Sequence, residues 1–179
     1  MNRRTALQTL TALAVLPWLP ACSRASNTGV AAAGSSTTPS KIVPLNKAAE
    51  AWRDEVSPAA YRVLFEEATE PAFSSPLDKE KREGTFVCAA CHLPLFDSAH
   101  KFDSGTGWPS FTQPIAGHVG TKKDFKLLWP RTEYHCARCG GHQGHVFKDG
   151  PPPRRERWCN NGVALAFVPK GQPLPALRS

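Results

Sequence analysis

Apolar residues fall into three regimes along the chain. From Thr5 to Ser23 they run without a charge, rich in Leu and Ala and interrupted by Pro17 and Pro20. From Arg24 to Ser40 the composition is mainly Ala, Ser, Thr, Gly and Pro with no aromatic residue, too little apolar surface to offset the entropy of ordering. Beyond Lys41 short apolar runs alternate with polar clusters. Ser57-Pro58 supplies a capping hydroxyl and a proline at the first helical position, and Tyr61, Leu64, Phe65 and Ala68 follow at helical spacing. A short amphipathic helix is therefore predicted to about Ala68, and Lys47–Glu55 to add a turn or two with Trp52 buried. After Pro71 the pattern shortens. Runs at Thr85–Cys88, Phe125–Trp129, Glu133–Cys136, His145–Phe147 and Val163–Val168, bounded by Gly, Pro, Asp and Ser, predict antiparallel strands. The folded part is expected to be mainly β with short N-terminal helices.

Charge adds an address rather than a partner. The chain has 22 basic and 15 acidic side chains, a formal +7, and Arg3, Arg4 and Arg24 are the only charges before Lys41. In the remainder acids and bases interleave, so a pI near 9.3 gives little support to nucleic-acid binding. Arg3-Arg4 ahead of the uncharged run reads as a signal peptide, and Leu19-Pro20-Ala21-Cys22 resembles a bacterial lipobox. The arginine pair also resembles a twin-arginine export signal. A single apolar stretch of this kind excludes a polytopic membrane protein. The expected organisation is a signal peptide at 1–22, a flexible tether at 23–45, one domain at 46–172 and a tail at 173–179. The protein is expected to be exported to a bacterial periplasm, with Cys22 a lipid anchor.

Six cysteines carry most of the chemistry. Cys88-Ala89-Ala90-Cys91 and Cys136-Ala137-Arg138-Cys139 each present two thiols from one tight turn, and two such turns complete a tetrahedral sulfur site suited to one structural Zn2+. The separation between pairs requires knuckles on different hairpins. Redox dithiols, disulfides and nucleic-acid zinc knuckles are competing readings of the same spacing.

Cys159 is left over, in Arg157-Trp158-Cys159-Asn160-Asn161. A neighbouring cation lowers a thiol's pKa and raises its nucleophilicity, so Arg157 argues for a reactive cysteine against a buried inert thiol. His142-Gln143-Gly144-His145 supplies two imidazoles that a filled four-cysteine shell leaves free. Gly105-Thr106-Gly107-Trp108-Pro109 reads either as a shaped loop exposing an indole or as a packed turn.

Together these segments closely resemble the B-type methionine sulfoxide reductases. The resemblance rests on Thr85–Cys91, Lys101–Phe111, Arg131-Thr132-Glu133, Cys136–Gly150, Arg157–Leu165 and Ser57-Pro58, and covers about Trp52 to Pro169. It implies two twisted antiparallel sheets forming a β-tent, and reduction of the R epimer of methionine sulfoxide in proteins and peptides. It implies that Cys159 is the nucleophile, with His142, His145 and Asn161 assisting at the oxygen, and that Trp108 and Arg157 belong to the substrate site. Cys88, Cys91, Cys136 and Cys139 match the zinc ligands of the metal-bearing subgroup. Oxidised proteins or peptides are the implied substrates, a thioredoxin-like protein or small thiol the implied reductant, and a monomer the expected state.

Two positions depart from the family pattern. Thr106 occupies the place of the usual resolving cysteine, and Asn160 stands where an apolar residue is usual. A different function class remains open to the sequence: a non-catalytic zinc-stabilised module that binds a protein through the Trp108 loop.

Overall fold

The computed structural model describes residues 42–126 and 129–179; the signal peptide and most of the tether, Cys22 included, lie outside the described residues. Ile42 and Leu45 already pack against the core. A 3-10 turn at Ala49–Trp52 precedes helix α1, Pro58–Glu66. Ser57 caps α1 as its spacing predicts, its Oγ accepting from the Ala60 N–H at 3.1 Å. The helix stops two residues short of Ala68 because Glu67 turns into the left-handed region at φ 54°. Ala60, Tyr61, Val63 and Leu64 are buried, and Phe65 stacks on the fully buried Trp52.

Among the described residues nine strands follow: β1 Gly84–Cys88, β2 Pro94–Asp97, β3 Lys101–Phe102, β4 Ser110–Phe111, β5 Val119–Asp124, β6 Arg131–Cys136, β7 His142–Phe147, β8 Arg157–Asn160 and β9 Leu165–Pro169. They form two antiparallel sheets, one of order β2-β1-β9 and one of order β3-β4-β8-β7-β6-β5. The mainly β architecture expected from the sequence is present. Phe125–Trp129 is a correction. The strand lies one step earlier, at β5, where lysines face water on a sheet edge, and Phe125 and Trp129 are 74% and 82% exposed beyond its end. Apolar runs mark strands only where a core receives them. Val163 likewise falls in a 3-10 turn, Gly162–Ala164, before β9.

Aromatic side chains fill the space between the sheets. Phe86 of β1 meets Phe111 of β4 edge-on at 5.0 Å, Phe111 stacks on Phe96 of β2 at 4.1 Å, and Tyr134 contacts both Phe96 and Trp158. Strand alternation explains the division of labour. In β8, Trp158 and Asn160 point into this core, so Arg157 and Cys159 share the opposite face. Among the described residues no helix is long and apolar enough to cross a membrane.

Candidate active site and metal centre

The paired cysteines sit where two hairpins turn. Cys88 ends β1 and Cys91 follows before β2; Cys136 ends β6 and Cys139 follows before β7. The knuckles match in detail. His92 and Gly140, each one residue past the second cysteine, adopt φ 62° and 74°, and their N–H groups bond back to the carbonyls of Cys88 and Cys136. The four Sγ atoms lie within 4.8 Å of one another and can hold a metal ion. Cys88 lies 3.6 Å from Cys139 and Cys91 3.5 Å from Cys136. Because β1 belongs to the small sheet and β6 and β7 to the large one, this cluster ties the sheets together. The tail crosses both knuckles: the Arg178 N–H donates to Cys91 O, and the Arg138 guanidinium donates to Arg178 O.

Cys159 lies on the large sheet, paired with Ser110 of β4 on one side and His145 of β7 on the other. Glu133 of β6 pairs with His145, and Lys122 of β5 with Glu133, so five side chains form a row across one face. Close approach beside Cys159 needs Gly144, where a Cβ would stand 1.9 Å from Cys159 O. Simple alternation would send His142 and His145 to opposite faces. A bulge in the β6–β7 register, which leaves Gln143 without a partner on β6, puts both imidazoles together with their centroids 5.4 Å apart.

Hydrogen bonding fixes the roles open to each group. His145 Nε2 is 2.8 Å from Asp124 Oδ2, which also accepts from the Arg131 guanidinium at 2.7 Å. The Lys126 N–H first, then His145, holds the Asp124 carboxyl well below the usual range. A carboxylate there makes Nε2 the protonated nitrogen and leaves Nδ1 with its lone pair. Burial lowers His145 below the ordinary imidazole value despite Asp124. His142, 3% exposed, has Nδ1 3.0 Å from Glu133 Oε1 without hydrogen-bond alignment.

The electrostatics at Cys159 differ from the expectation drawn from Arg157. Burial pushes the thiol up from its ordinary value; the Arg157 guanidinium and the Thr106 hydroxyl pull it down without reversing the shift. Arg157 itself is fixed bidentate to Asp149 at 2.9 Å and lies over the Phe147 ring. It braces the Phe147 wall and also reaches the Cys159 sulfur. Asn161 is similarly committed: Oδ1 accepts from Glu70 N and Nδ2 donates to Gln143 O, both at 3.0 Å.

A cleft of about 120 Å³ opens at Cys159, lined also by Thr69, Trp108, Arg131, His145, Phe147 and Asn161. Of the residues singled out in the sequence, Cys159, His145, Trp108 and Asn161 meet there, while His142 and Arg157 support them from outside the lining. Asp124, Arg131, Glu133 and Glu70 were not singled out for the site. Arg131 and Glu133 entered the sequence reading only within the motif that carries the resemblance, while Asp124 and Glu70 act through partners on another strand or loop.

A model of the SelR domain matches residues 56–169. The chain belongs to this family, that of the B-type methionine sulfoxide reductases. It is 50% identical over 139 residues to a peptide methionine sulfoxide reductase MsrB of Bradyrhizobium diazoefficiens, covering 77% of this chain and 98% of the relative. It is 48% identical to the MsrB of Leptospira interrogans over 69% of this chain and 95% of that one, and 45% identical to that of Agrobacterium fabrum over 70% and 93%. The four-cysteine cluster of this SelR-family chain fits the metal-bearing subgroup.

Proposed function

We propose that this protein reduces methionine R-sulfoxide in proteins and peptides to methionine, with Cys159 as nucleophile. The observation that carries the reading is the direct pairing of Cys159 with His145 at a cleft walled by Trp108 and Phe147. Near neutral pH the raised thiol and lowered imidazole leave both groups uncharged, which suits proton transfer from sulfur as it attacks. The Cys159 sulfur bonds to the sulfoxide sulfur, the S–O bond breaks, and the thiol proton relayed by His145 goes to oxygen. The released hydroxide bonds to the Cys159 sulfur as the bond between the two sulfurs breaks, so methionine leaves reduced by two electrons and Cys159 becomes a sulfenic acid. Two external thiols then return it to the thiol, releasing water and their own disulfide. The remaining Nδ2 hydrogen of Asn161 is available to the sulfoxide oxygen, and the indole of Trp108 receives the methyl group. Donors on one side and an apolar wall on the other select one epimer.

Zn2+ is the metal the cysteines fit. Tetrahedral thiolate coordination with bonds near 2.3 Å separates sulfurs by about 3.8 Å, close to the shortest spacings here. Bound by Cys88, Cys91, Cys136 and Cys139, it supplies folding free energy by joining the two sheets. The N-terminal sequence supports export to a periplasm with a lipid anchor at Cys22, where oxidised proteins are the substrates and a thioredoxin-like or small thiol the reductant.

Turnover of separated methionine sulfoxide epimers with dithiothreitol tests the reaction. Activity on the R epimer alone, abolished in Cys159→Ser and kept in Cys22→Ser, is expected. A wild-type chain that turns over neither epimer returns the protein to a binding module built on zinc.

A further inference from the structure

Two amide side chains occupy the core face of the large sheet, where apolar groups are the rule. Gln143 and Asn160 are both fully buried. Burying an amide is costly unless its polar atoms are bonded, and here they bond to each other and onward in two directions. Asn160 Nδ2 donates to Gln143 Oε1 at 3.3 Å and to Asn161 O at 2.8 Å, while its Oδ1 accepts from the Tyr134 hydroxyl at 2.6 Å. Gln143 Nε2 reaches Cys88 Sγ at 3.6 Å. The Gln143 carbonyl accepts twice from Asn161, from its backbone N–H at 2.8 Å and from Nδ2 at 3.0 Å.

We infer that Gln143 is a positioning residue through which the four-cysteine metal centre and the segment following Cys159 hold each other in place. The inference rests on reading the four cysteines as a metal site, and does not require the sulfoxide reaction. Gln143 is suited to the task by the bulge. The bulge leaves this β7 residue without a partner on β6, and its backbone carbonyl turns to Asn161. Its side chain crosses the core to the small sheet, where β1 ends in Cys88. An N–H donated to a thiolate withdraws charge from the sulfur, so the bond to Cys88 tunes the metal as outer-shell partners generally do. Asn160 completes the device. It fixes the Gln143 amide from the strand that carries Cys159, which gives this departure from the family pattern a physical role.

The test uses the full chain loaded with Co2+, whose thiolate-to-metal charge-transfer bands report the sulfur donors, and the alkylation rate of Cys159 by iodoacetamide, mapped by mass spectrometry. Gln143→Met is expected to shift the bands and to change the Cys159 rate about tenfold, within the range that outer-shell partners span. Asn160→Leu touches no metal ligand but releases Gln143, so it should move both readings in the same direction as Gln143→Met. If that variant fails to fold, Tyr134→Phe removes only the outermost hydrogen bond and is expected to give a smaller shift in both. Bands unmoved by Gln143→Met, or a Cys159 rate within twofold of wild type, overturns the bridge. A chain that takes up no cobalt overturns the metal assignment beneath it.

Discussion

His145 stands opposite Cys159 across β7 and β8, and its Nε2 lies 2.8 Å from Asp124 Oδ2. The carboxylate thus sets the tautomer of the imidazole that faces the nucleophile. Replacing it by an amide removes the charge and permits the opposite tautomer. Asp124→Asn is expected to lower kcat by about 10–100-fold, with KM less affected, because a group acting through the imidazole removes only part of the ~10²–10⁴-fold that proton transfer typically supplies. Steady-state kinetics on a methionine sulfoxide peptide check this; an unchanged kcat would remove Asp124 from the mechanism.

Burial sets the charge state of Cys159, and Arg157 and Thr106 oppose it. Below a thiol's pKa the reactive thiolate fraction falls tenfold per pH unit. The alkylation rate of Cys159 should therefore still be rising where an ordinary thiol, with a pKa of about 8.5, has levelled off. Arg157→Met removes a lowering influence and should move the midpoint further up, slowing alkylation at pH 7.5. Asp124 gives the acid side. Its carboxyl is depressed in the folded state, so its stabilisation is present above the unfolded value of about 4 and is lost as pH falls through the folded one. Urea midpoints measured from pH 7 downward should fall less steeply below pH 4 in Asp124→Asn than in wild type.

Glu70 gathers more of the site than any residue the sequence singled out. Its carboxyl oxygens accept from the Gly162 and Val163 N–H groups at 2.5 and 2.9 Å. Its own N–H donates to Asn161 Oδ1, and its carbonyl accepts from Trp108 Nε1 at 3.2 Å. The two turn N–H groups bond to different carboxyl oxygens, so a glutamine in the same position presents its oxygen to one and an NH2 donor to the other. Glu70→Gln should leave a buried donor unsatisfied, cost about 1–3 kcal/mol of stability and raise KM more than it lowers kcat. Chemical denaturation and a kcat/KM split check both halves. Equal falls in kcat and kcat/KM would place Glu70 in the chemistry instead.

The fold was legible where local chemistry decides it. Ser57-Pro58 announced α1, and the two Cys-x-x-Cys pairs announced the knuckles, because a tight turn and two thiols suffice for each. β5 was misplaced because its lysines lie at an edge, where burial gives no apolar signal. β8 was not foreseen, since Arg157–Asn160 alternates charged and polar residues around Trp158 and only its β4 and β7 neighbours make it a strand. The site followed the same division. Cys159 and His145 could be named, but their pairing required the register of β7 with β8, and the shared face of His142 and His145 required a bulge. Asp124 and Glu70 were hidden because an ordinary carboxylate becomes a positioning group only through partners 21 and 92 residues away.

Recycling is where this chain's own residues make the sharpest demand. Thr106 stands at the usual resolving position, held between Gly105 and Gly107 at φ 70° and 86°. Its hydroxyl faces the Cys159 sulfur and lies 2.8 Å from Ser104 Oγ, which in turn meets Ser110 Oγ at 2.8 Å. A hydroxyl can donate to a sulfenate but cannot form a disulfide. The other four described cysteines form the cluster that can hold a metal ion, and with zinc bound as proposed drawing one away would undo the clamp between sheets. One equivalent of methionine R-sulfoxide added to the zinc-loaded mature protein should therefore leave a sulfenic acid on Cys159 that a dimedone-type trap labels, with no new intramolecular disulfide. Thr106→Cys should change that outcome: the sulfenic acid condenses with the new thiol, releasing water, and the label is lost as the disulfide appears. Mass spectrometry of non-reduced peptides distinguishes the two. A stoichiometric disulfide from Cys159 in the wild-type protein would show that another cysteine resolves it, and that the Thr106 loop does not leave recycling to an external thiol.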